Sequence, residues 1–355
     1  MSGAAAKRSG WVYAFAHLAT ETACFFWLYR YLTTNAIWSL AYDVLVFVPQ
    51  LFFGLYADRH PERKMGPAGL AILCAVMAVS PCLSRVDGSG LWRIPVFLVM
   101  TVGNCLVHVA GAEATARDSG GKMGPAGIFV GAGSFGLIAG RLLGAAQREV
   151  LLLIPAALLA ASFLLALRDY DPVRMAKPAA GFRVSAERGL GTIVTLAFLT
   201  VAVRAYIGYA IPTGWVENNV QLVILYVFMG VGKMLGGVLA DRFGARRVSV
   251  LSLALALPLL IVGSRNMIVS LLGVLLFSMT MAISFGILLS HFPGQPGFAF
   301  GVTTFALSVG TMPAFFIRLP GLVWSCVVIT VLTAAAIACF ALSTSNHIIK
   351  ESSSC

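Results

Sequence analysis

Gly54-Leu-Tyr-Ala-Asp58-Arg59-His-Pro-Glu-Arg63-Lys64 and Gly237-Val-Leu-Ala-Asp241-Arg242-Phe-Gly244-Ala-Arg246-Arg247 are two copies of one pattern, with Asp58 and Asp241 183 residues apart. Each copy ends one apolar run and leads into the next, so the chain reads as two parallel repeats. Working outward from them, twelve apolar runs of roughly 18–25 residues are counted, each long enough to cross a hydrocarbon core of about 30 Å. They lie at 11–33, 36–56, 66–84, 91–112, 123–145, 150–167, 190–212, 219–240, 247–264, 267–289, 297–317 and 321–343. The longest polar stretch falls in the middle. The expected organisation is therefore an N-terminal six-helix half (1–167), a cytosolic linker (168–189) and a C-terminal six-helix half with a short cytosolic tail (190–355).

Composition supports a polytopic α-helical membrane protein. The 355 residues are 59% hydrophobic and 11% charged, with a mean hydropathy of +0.89, whereas soluble domains are about 25% charged. Cysteines at 24, 74, 82, 105, 326, 339 and 355 form no C-x-x-C pair and have no histidine at metal spacing. Neither a metal nor a disulfide framework is expected. Met1–Gly10, with Lys7 and Arg8, has the outline of a signal peptide. The run after it is too long for one and contains His17 and Glu21, so it is expected to stay as the first span.

The net charge of +11 is a topology signal. No basic patch is interleaved with exposed aromatics, so nucleic acid is not an expected partner. With both termini in the cytosol, sixteen lysines and arginines fall on the cytosolic side, among them Lys7, Arg8, Arg183, Arg188 and Lys350. Six, including Arg318, fall outside, and Arg141, Arg204 and Lys233 lie within spans. This bias sets both ends inside, and the expected location is the cell (inner or plasma) membrane.

The duplicated loop resembles the G-x-L-A-D-R-x-G-R-K motif of the major facilitator superfamily, at its expected places between spans 2 and 3 and between spans 8 and 9. The second copy is nearly complete; the first has Pro61 and Glu62 where the family usually has glycine and a basic residue. The resemblance covers the whole chain. It implies twelve transmembrane helices in two pseudosymmetric halves and transport by alternating access. Asp58 ends span 2 near the expected start of span 11, where a helix N-terminus carries about half a positive charge. Asp241 is expected to do the same at span 5, with Arg59, Arg242 and Arg246 as further gating residues. A narrower likeness, to the fosmidomycin-resistance type of proton-driven drug exporter, rests on Gly103-Asn-Cys-Leu-Val-His108, the glycines of 124–136, Arg204 before Pro212, and Pro293-Gly-Gln-Pro-Gly297. Gly136-x-x-x-Gly140-Arg141-x-x-Gly144 resembles the motif of drug–proton antiporters, with Arg141 in place of its proline. Glycines four apart let a second helix approach closely; span 8, with Gly232 and Gly236, is the expected partner.

An ionisable group within a span costs several kcal/mol unless it meets a partner or a polar cavity. His17 and Glu21, four residues apart, share one helix face. The repeat offset carries position 21 onto position 204, so Glu21 and Arg204 occupy equivalent places in the two halves. Glu21 is the expected proton carrier, tuned by His17 or Arg204, and His108 in span 4 is expected to be a second proton site or a substrate hydrogen-bond donor. Arg204, through its forked donors, together with Lys233, Asn104, Tyr206, Tyr209 and Asp43, is expected to bind substrate. The same offset sets Lys233 opposite Gln50. Trp38, Trp92, Trp215 and Trp324 near span ends suggest an interfacial belt.

No G-x-x-x-x-G-K-[ST], G-x-S-x-G or H-E-x-x-H occurs, so neither an enzyme nor ATP-driven transport is expected, and no cofactor. The expectation is a monomeric, proton-coupled exporter of a small organic, anionic compound. The alternatives are a proton-coupled importer of an organic acid or nutrient and a non-transporting sensor or scaffold on the same fold. The tail of about a dozen residues after Ser343 argues against the last.

Overall fold

The computed structural model describes residues 3–32, 35–180, 189–317 and 319–344, with the backbone alone for 3–9. Arg183, Arg188, Arg318 and Lys350 of the charge tally lie outside the described residues. The twelve apolar runs form twelve helices: α1 (Gly3–Tyr31), α2 (Ala36–Arg59), α3 (Met65–Val86), α4 (Arg93–Asp118), α5 (Gly124–Ala145), α6 (Glu149–Asp169), α7 (Leu190–Ala210), α8 (Asn219–Phe243), α9 (Ala245–Arg265), α10 (Met267–His291), α11 (Pro296–Phe316) and α12 (Leu322–Ser343). No strand occurs among the described residues. Local chemistry sets several starts. Asn218 and Gln221 form a reciprocal capping box at α8, and Asn35 and Asn266 cap α2 and α10. The ring of Pro49, which leaves no N–H to donate, breaks α2 between Phe47 and Gln50.

Eleven of these helices, α2 to α12, are long and apolar enough to cross a bilayer. The exception, α1, is long enough at 29 residues, but His17, Thr20, Glu21 and Thr22 dilute its middle. All four are buried, because α1 runs through the interior of its half against α4, α5 and α6. The halves meet along α2–α11 and α5–α8.

The tightest helix pair is α1–α5. A Cβ on Gly136, Gly140 or Gly144 would run into the main-chain oxygens of Leu18, Thr22 and Phe26 respectively. Glycines and carbonyls both recur every four residues, so the two backbones touch along two turns. This corrects the expected pairing of these glycines with α8. The face of α5 that meets α8 consists of Gly124, Gly127 and Gly131, packed on Gly230 and Gly237. Gly232 and Gly236 lie instead against Leu275 and Met279 of α10. Spacing reveals that a helix face is smooth but not which helix covers it. Trp92 and Trp215 are likewise buried rather than interfacial; Trp92 stands edge-on to Trp27 and Tyr31.

The methyl group added by Gly140→Ala meets backbone, which cannot swing aside, so it should cost ~1–3 kcal/mol as overpacking does. Gly140→Leu should abolish recovery of monodisperse protein. Gly208→Ala, with nothing near its Cβ position, should behave as wild type in thermal unfolding of the detergent-solubilised protein.

Candidate functional site

Asp58 and Asp241 sit near the C-terminal ends of α2 and α8, where their own helices' dipoles disfavour a negative charge. Both carboxylates point instead at helix N-termini of the opposite half. Gly297 N–H and Phe298 N–H of α11 donate to Asp58 at 2.9 and 2.7 Å. Met123 N–H and Gly124 N–H at the start of α5 donate to Asp241 at 2.6 and 2.8 Å. The residues at these two cap positions, Gln295 and Met123, offer no side-chain cap, so each helix is capped by a carboxylate from across the interface. The leading glycine of each repeat copy makes this reach possible. A Cβ on Gly54 would collide with Gly297 O, and one on Gly237 with Met123 O.

The expected gating arginines lie elsewhere. Arg59 and Arg242 are exposed, the latter over the Phe243 ring, and Arg246 donates to Thr344 O of its own half. The guanidinium that approaches Asp58, at 3.8 Å, belongs to Arg117 of α4. It is buried, pairs with Glu113 at 2.7 Å and donates to Lys177 O of the linker. Glu113 and Arg117 are four residues apart on α4, a spacing that pairs them on one helix face but does not encode the approach to Asp58. The linker is fastened at the same end of the bundle: Tyr170 Oη donates to Pro61 O, and Ala179 N–H donates to Pro293 O of the other half.

Deeper in the bundle, Glu21, His17 and His108 come together, each less than 10% exposed. Packing of α5 on α1 directs this. Gly133 lies under the His17 ring and Gly136 against Glu21 Cβ, leaving both side chains to meet α4. His108 Nε2 is 3.3 Å from Glu21 Oε1, and the two imidazoles are edge to face at 4.4 Å. The Asn104 amide donates to Glu21 at 3.2 Å and lies within hydrogen-bonding distance of Cys24 Sγ and Tyr42 Oη. The sequence reading missed Cys24 and Tyr42. Its expectation of no metal site rested on cysteines and did not foresee His108 joining His17 and Glu21 from 87 residues away.

On the C-terminal half, Arg204 is 6% exposed and has no carboxylate partner among the described residues. Its Nη1 is 3.3 Å from Met281 Sδ, its guanidinium lies 5.0 Å over the Phe277 ring, and its Nε is unpartnered. Glu21 and Arg204 thus turn to different neighbours and do not pair. Lys233 interacts electrostatically with both and donates across the halves to Ser134 Oγ at 2.9 Å. Its repeat counterpart, Gln50, is fully buried with both amide atoms unpartnered. Asp43 accepts from Ser308 Oγ at 2.7 Å, a second polar link across α2–α11. Tyr206 and Tyr209 do not flank Arg204. At about 100° per residue they lie roughly 200° and 140° around α7 from it, and Tyr209 is 58% exposed beside Phe315.

No protein-family model and no curated protein matches the sequence. Solved structures do match the fold along nearly its whole length. The E. coli fucose:proton symporter FucP is 12% identical, covering 97% of this chain and 98% of its own at a TM-score of 0.67. A second FucP structure, described as a major facilitator superfamily transporter in the outward conformation, is 13% identical with the same coverage and TM-score. The human organic anion transporter MFSD10 is 16% identical, covering 96% of this chain and 99% of its own at 0.64. With twelve helices in two pseudosymmetric halves, this multi-pass membrane protein has the major facilitator superfamily fold.

Proposed function

We propose that the chain is a monomeric secondary active transporter that exports a small organic anion in exchange for protons by alternating access. In this reading it sits in the plasma membrane with both termini cytosolic. The anion binds at Arg204 and Lys233. Glu21, with His17 and His108, forms the acidic end of the same interior and couples transport to protons, while Asp58 and Asp241 belong to the gate.

One observation carries the reading: Arg204 is buried on a thioether and an aromatic face, with no carboxylate among the described residues to balance it. A buried unpaired cation is costly, and an entering anion would supply the missing partner through a bidentate, charge-assisted contact. Lys233, which donates to the Ser134 hydroxyl and interacts electrostatically with Arg204, adds a second positive group. That MFSD10, an organic anion transporter, shares the fold is consistent with this reading. The likeness to a fucose:proton symporter favours a second reading, proton-coupled uptake.

The test is proton movement in inverted vesicles with an acid interior, followed by relief of a quenched pH dye. A panel of anionic, neutral and cationic compounds, a phosphonate among them, is added to wild type, Glu21→Gln and Arg204→Ala. Anions should release protons in wild type and not in Glu21→Gln. Arg204→Ala should raise the anion concentration required by about tenfold to a hundredfold, the equivalent of losing a charged hydrogen bond of ~1.5–3 kcal/mol. Release by neutral compounds alone would refute the anion assignment. No release by any compound, together with pH-dependent tracer uptake into intact cells, would replace export with import.

A further inference from the structure

We propose that His17, Glu21 and His108 form a binding site for a divalent transition-metal ion of the zinc, cobalt or iron(II) type. Each residue offers one ligand atom, and the three atoms lie within 4.8 Å of one another in the interior of the N-terminal half. Two features beyond proximity point to a cation.

The first is the state in which the backbone holds the imidazoles. His17 Nδ1 is 2.7 Å from Phe129 O, and His108 Nδ1 is 3.1 Å from Asn104 O. A carbonyl only accepts, so each ring carries its hydrogen on Nδ1, and in the neutral ring the lone pair is on Nε2. An Nδ1–H bonded to a carbonyl, which leaves Nε2 as the lone-pair nitrogen, is the usual outer-shell arrangement of a metal-ligating histidine.

The second is what His108 Nε2 faces. Its lone pair is 3.3 Å from Glu21 Oε1, so with the carboxylate ionised and the imidazole neutral two acceptors oppose each other, a gap that either a proton or a metal ion fills. Ligands on a tetrahedral ion with bonds of about 2.0–2.1 Å stand about 3.4 Å apart. The spacing between Glu21 and His108 is thus already that of two ligands on one ion. The Asn104 amide, donating to Glu21 at 3.2 Å, supplies the outer-shell contact for the carboxylate.

The donor set selects the ion. Two imidazoles and one carboxylate suit zinc, cobalt or iron(II), whereas magnesium and calcium require more oxygen ligands than the cluster offers. Three protein ligands leave a fourth position for water or an anion.

Metal binding is read on purified protein without substrate or gradient, so it stands or fails separately from the transport reading. The full-length protein in detergent is titrated with Co²⁺ alone, recording the visible absorption of a low-coordinate cobalt site, and bound Zn²⁺ is counted after equilibrium dialysis. Wild type should bind one ion per chain, with Zn²⁺ displacing Co²⁺ and raising the melting temperature. His108→Gln and Glu21→Gln, checked for monodisperse elution, should each weaken binding at least tenfold. His60→Gln and His291→Gln, which alter histidines at the bundle's surface, should leave it unchanged. No saturable binding by wild type would overturn the proposal. So would binding that survives His108→Gln and Glu21→Gln but is lost with His60→Gln or His291→Gln.

Discussion

The two halves meet through one interaction used twice: a carboxylate at the end of one helix caps the N-terminus of a helix in the other half. Asp58 serves α11 and Asp241 serves α5, each satisfying two N–H groups that the helix leaves without partners. A cap of this kind is worth about 0.5–2 kcal/mol. Its position matters more than its size, because both caps lie at the same end of the bundle. Gly54 and Gly237 are the condition for it, since side chains there would hold the helices apart. The Arg117–Glu113 pair and the linker contacts gather at the Asp58 cap, so this end of the molecule is tied in several places at once.

A second backbone contact builds the interior. With α5 lying directly on the carbonyls of α1, His17 and Glu21 are pushed toward α4, where His108 and Asn104 receive them. The C-terminal half answers with Arg204 at the equivalent position, but its surroundings are a thioether and a phenyl ring. Acid and imidazole are therefore concentrated on one side of the interior and unneutralised cation on the other. Lys233 of α8 adds a cationic link between the halves through its hydrogen bond to Ser134 on α5.

Much of this was legible in the sequence because it depends on local pattern or on the repeat. Twelve apolar runs became twelve helices, and the aspartate within each repeat copy lies at the helix start expected for it. The offset sets Glu21 and Arg204 at matching positions in the repeat, and both are buried. What failed depended on which surface faces which. Gly136, Gly140 and Gly144 announce close approach but not α1 as the partner. Tyr206 and Tyr209 are near Arg204 in sequence yet out of helical phase with it. His108 joins Glu21 through the packing of α4 on α1, which no spacing in either segment encodes. The four-residue spacing of Glu113 and Arg117 pairs them, but the approach of Arg117 to Asp58 depends on where α2 comes to rest.

The central claim, that the two carboxylate caps hold the halves together at one end, is tested most directly by a distance. Spin labels at Arg59→Cys and Gln295→Cys, both exposed positions flanking the Asp58 cap, are measured by pulsed double electron–electron resonance with exposed Cys82 replaced by serine. A short, narrow distribution is expected with both caps intact, and a longer, broader one when Asp58→Asn and Asp241→Asn are combined. Identical distributions in the two proteins would contradict the account.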